Sequence, residues 1–323
     1  MNSNVAVIGC GQLGRRHIQG LGLSSSEINV HVYDIAKESL KTCATFAEEI
    51  ANDISNLHLS YFDDIKTLGE AVSSFDLVII SSTATARPAQ IKTLKSYIRS
   101  KAWLLEKPIC QSPDELDELL DLTKDMTVWI NHLRRVVPLY QVLKTEYFAG
   151  QKMNITFAGA DIGIGSNISH LVDLVNFMTD AIPVSADVSG LSDKWHDSKR
   201  QGFKEIDGEI TLQFSDGSTM RVVSQNELSD LQIAGDFPLS GKTFVIQENK
   251  GIVSQNGKLI EVGQMPLQSQ LTGSLFDQIN QQGVSDLTPL SVAADCYRVV
   301  ISSLLDHWQS TPEGKNDQVV PLT

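Results

Sequence analysis

The chain has 323 residues, 41% hydrophobic and 20% charged, with a formal net charge of −13, long enough for two domains with sizeable cores and ordinary for a soluble globular protein. The acidic balance argues against nucleic acid or an anionic membrane as partner, and no apolar run approaches the roughly 20 residues that span a bilayer, though a local basic pocket stays open. With no signal-peptide pattern and four scattered cysteines (Cys10, Cys43, Cys110, Cys296), the expectation is a cytoplasmic protein with reduced thiols and no metal site.

Short apolar runs predict strands at 4–8, 28–33, 57–61, 76–81, 102–105 and 127–130, with helical patterns near 12–21, 37–50, 63–73, 88–100 and 113–124. The alternation implies parallel pairing and right-handed crossovers, hence an α/β doubly wound sheet of about six strands over residues 1–131. Ser112-Pro113-Asp114-Glu115 is a helix start, with a cap, a first-position proline and acids in the first turn.

VAVIG at 5–9 runs into Gly9-Cys10-Gly11-Gln12-Leu13-Gly14, and Asp34 closes the next strand, INVHVY at 28–33. Strand, glycine turn, helix, strand and acid form the unit that holds a dinucleotide. Gly9 permits the turn, Gly11 admits the pyrophosphate to the backbone, and Gly14 lets the helix pack on the strand, with its N-terminus facing the phosphate. Asp34 would accept from ribose hydroxyls and repel a 2′-phosphate. That favours NAD over NADP, although Lys37 stands near.

After residue 131 the pattern changes. A helix is expected at 136–149, a strand at 153–160 and a helix at 167–178, then strand-like runs at 184–191, 209–215, 219–225, 242–248 and 258–262. Asp216-Gly217 and Asn256-Gly257 are hairpin signals, which points to a largely antiparallel open sheet. Helices at 267–282 and 289–309 complete an α+β domain over 132–323.

Glu106-Lys107-Pro108 follows the fifth strand, where ligands of such sheets sit. Lys107 could bind a substrate hydroxyl or move its proton, given a pKa brought down toward neutrality. Alone, this tripeptide would read as a surface loop, and the isomer of its proline bond is open. Arg134 and Arg135 could clamp a carboxylate or diphosphate, or tie the two domains together. His17 and His132 read as structural, Trp103 and Trp308 as core or interface residues.

VAVIGCGQLGRRH, EKP at 106–108, NHLRRVVPLY, SHLVDL and the terminal VVPLT together resemble the glucose–fructose oxidoreductase/inositol dehydrogenase/rhizopine-catabolism (Gfo/Idh/MocA) family over nearly the whole chain. The resemblance implies a Rossmann domain and a C-terminal α/β domain whose open sheet serves oligomer contacts, a homodimer or homotetramer. It also implies NAD(P)-dependent hydride transfer at a secondary alcohol or ketone carbon of a sugar or nucleotide-sugar. Gly9, Gly11, Gln12, Leu13, Gly14, Asp34, Ser82, Thr83, Glu106 and Lys107 would contact cofactor, and Arg135, Asn167 and Asp173 substrate. Lys107 would stand beside the nicotinamide, and His170 is the family's active-site histidine. Asp173, three residues on, could orient it or be an ordinary helix acid.

Two departures weaken the match. Ser166 and Ile168 stand where many members have aspartate and glycine, and Thr83-Ala84-Thr85-Ala86-Arg87-Pro88 replaces Thr-Pro-Asn-x-x-His. Serine cannot serve as a carboxylate base. Two alternatives therefore accompany the dehydrogenase reading: a non-catalytic NAD-binding regulatory protein, and a lyase or epimerase that keeps and recycles its NAD. The string GIGSNISH at 163–170 is similar to a branch associated with surface-glycan and sugar-nucleotide biosynthesis.

Overall fold

The computed structural model describes residues 2–148, 150–261 and 263–323, so the expected ends of a helix at 149 and of a strand at 262 lie outside the described residues. In chain order the first elements are β1 (Ser3–Ile8), α1 (Gln12–Leu21), β2 (Ile28–Tyr33), α2 (Lys37–Glu49), β3 (Leu57–Phe62), α3 (Ile65–Ala71), β4 (Leu77–Ile80), α4 (Arg87–Tyr97), β5 (Trp103–Leu105), α5 (Pro113–Thr123) and β6 (Val128–Ile130). Then come α6 (Pro138–Val142), β7 (Asn154–Gly159), α7 (Ile164–Thr179), β8 (Pro183–Leu191), β9 (His196–Asp197), β10 (Lys204–Glu205), β11 (Gly208–Phe214) and β12 (Thr219–Ser224). The last are β13 (Gln232–Phe237), β14 (Lys242–Gln247), β15 (Ile252–Gln255), β16 (Lys258–Glu261), α8 (Gln268–Gln282), β17 (Thr288–Pro289) and α9 (Leu290–Ser310).

The chain forms two compact units. One gathers 1–109, 117–131 and 266–290, the other 110–116, 132–265 and 291–323.

The first unit holds a seven-stranded sheet in the order β17-β6-β5-β4-β1-β2-β3. Six strands are parallel. Val5–Ile8 and Leu77–Ile80 are buried throughout, the pattern of central parallel strands covered on both faces. The seventh, β17, pairs antiparallel with β6 and is too short to leave a sequence pattern. Helix α8 comes from far along the chain and packs on α1 at glycine contacts. A Cβ on Gly273 would lie 2.6 Å from the Gly20 carbonyl oxygen, and one on Gly20 would lie 2.9 Å from Thr272 Cβ.

The second unit holds an eight-stranded sheet in the order β16-β15-β14-β13-β7-β12-β11-β8, antiparallel except for the β7–β12 pair. β7 alternates strictly between half-buried and buried residues. Both hairpin signals hold: Gly217 takes φ +83 between β11 and β12, and Asn256 and Gly257 take φ 48 and 79 between β15 and β16. β13 was not expected, because Gly235 and Asp236 break its alternation. Gly235 is required there, since a Cβ would stand 2.3 Å from the Asn154 carbonyl oxygen.

The helix expected over 136–149 is instead a 3-10 turn at Leu133–Val136, then α6, then a π-helical turn at Leu143–Phe148. Pro138 is the physical reason. It forces Val137 into an extended conformation (φ −80, ψ 128) and restarts the helix from its own first position. Helix α7 begins three residues earlier than expected. Among the described residues no helix is long and apolar enough to cross a membrane.

Candidate active site

The carboxyl ends of β1, β2, β4 and β5 carry the first cluster, all within the first unit. Gly9 adopts φ +89, and a Cβ there would lie 2.9 Å from the Ser82 amide nitrogen. A Cβ on Gly14 would lie 2.1 Å from the Gly9 carbonyl oxygen, so helix α1 must have glycine to dock on the strand. Gly11 differs: a Cβ there would meet no protein atom within 4 Å. It precedes the first turn of α1, no side chain caps that turn, and Gln12 is exposed with Leu13 half-buried behind it. Open space, uncapped amides and a helix dipole fit a pyrophosphate.

Asp34 is half-buried at the tip of β2. Its Oδ2 accepts from the Cys10 amide at 2.9 Å and its Oδ1 from the Ala36 amide at 2.9 Å. The carboxylate is thus fixed against the glycine turn; Oδ2 also accepts from Cys10 Sγ at 3.6 Å, and Oδ1 keeps a lone pair for a ribose hydroxyl. Ser82 and Thr83 are half-buried at the tip of β4, where Ser82 Oγ donates to Gln90 Oε1 at 2.9 Å.

Lys107 is half-buried after β5, and its bond to Pro108 is cis. The neighbouring Glu106 side chain does not face outward as a cofactor ligand would. It is 4% exposed, with Oε1 2.8 Å from His17 Nε2 and 2.5 Å from Asn131 Nδ2. A carboxylate only accepts, so His17 carries its proton on Nε2, and Nδ1 faces Thr272 Oγ1 at 3.1 Å. Asn131 also donates to Gln268 Oε1 at 2.8 Å. Burial pushes the Glu106 carboxyl up, but the His17 contact, Asn131 and the Lys107 charge together hold it below its ordinary value. Glu106 is therefore an anchored anion beneath Lys107.

Sequence reasoning missed Arg87. It is fully buried at the start of α4 and donates to the Glu106 carbonyl at 2.9 Å and the Ser82 carbonyl at 3.2 Å, joining the tips of β4 and β5. Its signal was present, as an arginine opening the helix after the fourth strand, where the family motif is altered.

The second cluster belongs to the second unit and centres on α7. Gly163 precedes the helix with φ +68 and gives it no side-chain cap. The cap comes from a distant residue: Glu205 accepts from the Gly165 amide at 2.5 Å and from the Ser166 amide at 3.1 Å. This explains the early start of α7, and no local pattern announced it. Asn167 is half-buried and donates to the Ile162 carbonyl at 2.7 Å, and His170 is half-buried one turn further on.

Asp173 is fully buried, a placement unlike that of a substrate ligand. It takes Arg135 Nε at 2.8 and 3.0 Å, while Arg135 Nη2 donates to Asn176 Oδ1 at 2.6 Å. His132, 1% exposed, places Nδ1 3.2 Å from Asp173 Oδ1. Burial raises the Asp173 carboxyl, but the charges and hydrogen bonds of His132 and Arg135 outweigh it and bring it down to about 2. Arg134 is also committed, to Glu248 at 2.8 and 3.0 Å, and Tyr140 donates to the same carboxylate. Both arginines considered as a ligand clamp thus hold internal carboxylates.

A parallel sheet in this order, with a glycine turn on β1 and an acid on β2, is the arrangement of a dinucleotide-binding domain. Residues 3–132 match the Gfo/Idh/MocA family model, described as an oxidoreductase family with an NAD-binding Rossmann fold. No curated protein sequence matches.

Solved structures share the fold. UDP-N-acetylglucosamine 3-dehydrogenase from Acidithiobacillus ferrooxidans superposes with TM-score 0.63 at 17% identity, over 93% of this chain and 96% of that one. An oxidoreductase from Agrobacterium radiobacter in complex with NAD+, L-tartaric acid and magnesium gives 0.70 at 14%, over 99% and 98%. Scyllo-inositol dehydrogenase from Lactobacillus casei with NAD(H) and scyllo-inositol gives 0.66 at 11%, over 94% and 96%.

Proposed function

We propose that the protein transfers hydride between NAD and a secondary alcohol or ketone carbon of a sugar or nucleotide-sugar. The observation that carries this reading is Lys107 standing at the strand tips that also bear the glycine turn and Asp34. Bound NAD supplies the hydride chemistry. Around it, the α1 terminus holds pyrophosphate, Asp34 holds ribose, Ser82 and Thr83 offer small polar groups, and Gln12 and Leu13 line the turn. Lys107, whose loop is braced by Glu106, Arg87 and His17, binds the reacting hydroxyl and takes its proton in the neutral-amine form. His170 is the second residue proposed for acid–base work, and Asn167 a proposed substrate contact. Arg135 acts by fixing Asp173.

Residues 1–131 are the proposed cofactor domain and 132–323 the substrate and homo-oligomer domain, with the four buried thiols supporting a cytoplasmic setting. NAD is preferred over NADP because Asp34 is fixed at the ribose position.

The test is Lys107→Ala assayed against sugar and nucleotide-sugar alcohols. NAD affinity by calorimetry should persist while turnover collapses, and unchanged turnover removes Lys107 from the mechanism. Ser166 keeps a second reading in view, a non-catalytic NAD-dependent regulator. Inactivity on every such alcohol together with a specific protein partner would select it. Product formation with protein-bound NAD and no net NADH would instead select the lyase or epimerase reading.

A further inference from the structure

We infer that Asp63 is a specificity-determining residue for the dinucleotide. By occupying the ammonium of Lys37, the lysine three residues past Asp34, it withholds a cation from a 2′-phosphate and so excludes NADP together with Asp34. This rests on the reading of the glycine turn and Asp34 as an NAD site, and not on the reaction proposed there.

Asp34 and Asp63 leave neighbouring strand tips, each as the first residue beyond its strand. β2 and β3 run parallel with Tyr33 opposite Phe62, and the Asp34 amide donates to the Phe62 carbonyl at 3.3 Å. Asp34 Oδ1 takes the Ala36 amide at 2.9 Å, and Ala36 directly precedes Lys37, the first residue of α2. Lys37 Nζ lies 3.0 Å from Asp63 Oδ2, so its side chain reaches from the helix start to the tip of β3. The hydrogen bond and the charge of Lys37 hold the Asp63 carboxyl below its ordinary value. Asp64 is not an equivalent partner, since its Oδ1 caps α3 by accepting from the Lys66 amide at 2.6 Å. Burial, then the charges of Asp64, Asp34 and Asp63, push the Tyr33 hydroxyl up, as follows where three carboxylates crowd one edge of the sheet.

Stability is a poor reason for this pair. The Lys37 side chain is 79% exposed and that of Asp63 45%, and ion pairs so open to water contribute little to folding. A cation at the first helical position also opposes the helix dipole. Specificity is a different quantity, a difference between two affinities. The 2′-phosphate is what distinguishes NADP from NAD at the ribose edge, and a neighbouring cation is what accommodates it. A lysine held on Asp63 offers that phosphate an affinity reduced to the fraction of time it is released. Two further cations, on α1 and α2, are engaged as well: Arg15 donates to the Cys10 carbonyl at 3.3 Å and Lys41 to Glu38 at 3.4 Å.

The test is calorimetry of NAD and NADP binding to the full chain. Asp63→Asn, Lys37→Met and the double variant are compared in the wild-type chain and in Asp34→Ser, where NADP no longer meets the Asp34 charge. In either background Asp63→Asn should tighten NADP about 3- to 5-fold, with NAD changing less than about 2-fold. In Lys37→Met the same Asp63 substitution should gain less than about 2-fold, because no ammonium is left to release. A gain of full size in Lys37→Met overturns the inference, since Asp63 would then act as a bare negative charge. The absence of any gain overturns it too. If Asp34→Ser does not fold, competition of NADP against bound NAD in the wild-type chain decides. Binding of neither nucleotide removes the dinucleotide site and the inference with it, whereas NAD binding without the NADP gain removes the inference alone. A chain that shows the gain and turns over no sugar alcohol keeps the inference and loses the proposed reaction.

Discussion

Helices α1 and α7 each begin behind a glycine and lack a side-chain cap of their own, yet they are finished in opposite ways. At α1 a Cβ on Gly11 would enter open space. At α7 a Cβ on Gly165 would lie 2.9 Å from Glu205 Oε1, and one on Gly163 would lie 3.0 Å from Oε2. The same partial positive charge is left for a ligand in one unit and neutralised by the protein's own carboxylate in the other. A helix terminus with glycine is therefore not a binding site in itself. What fills the space in front of it decides.

The largest expected effect lies in the first unit. Lys107→Ala should cut turnover by about 10²–10⁴-fold, measured by steady-state kinetics, with NAD affinity nearly kept. Next is the buried pair of the second unit. Arg135→Ala strands the Asp173 charge and should cost about 3–5 kcal/mol by denaturant unfolding.

The pH dependence of that pair has a definite sign. The Asp173 carboxyl is held at about 2 against an ordinary value of 3.8. Its stabilisation is full above the ordinary value and is lost as pH falls from about 4 toward 2. Asp173→Asn should flatten that acid limb of the stability curve, and an unchanged limb would assign it elsewhere.

A paired substitution sharpens the contrast between termini. Gly11→Ala should leave thermal stability intact and weaken NAD binding by roughly 10-fold or more, which is about 1.4 kcal/mol. Gly165→Ala should do the opposite: its Cβ would meet Leu322 Cδ2 at 2.6 Å, costing about 1–3 kcal/mol of stability with NAD affinity unmoved. The smallest effect is expected for Glu205→Gln, about 1 kcal/mol, seen as a modest fall in Tm.

Much of the first cluster was legible because its signals are local. Gly9, Gly11, Gly14 and Asp34 fall within one β-α-β crossover, and chain geometry alone brings them together. Lys107 was legible as a strand-tip residue. The partners of Glu106 were not, because His17 and Asn131 reach it from other elements of the chain. Assigning Glu106 to the cofactor followed from its place in a motif, whereas burial turned its side chain inward. His132 was read as structural, and nothing near it in sequence reveals its contact with Asp173.

By itself the sequence determined the parallel nucleotide-binding sheet, the glycine turn, the two hairpins and the largely antiparallel second sheet, since periodicity and turn stereochemistry act over a few residues. Only the tertiary structure decided that α8 and β17 join the first sheet's unit, that Glu205 caps α7, and that the arginines after β6 are already matched by internal acids. Those outcomes depend on which charges meet once water is excluded, and contacts between residues dozens to hundreds of positions apart leave no periodic trace in the chain.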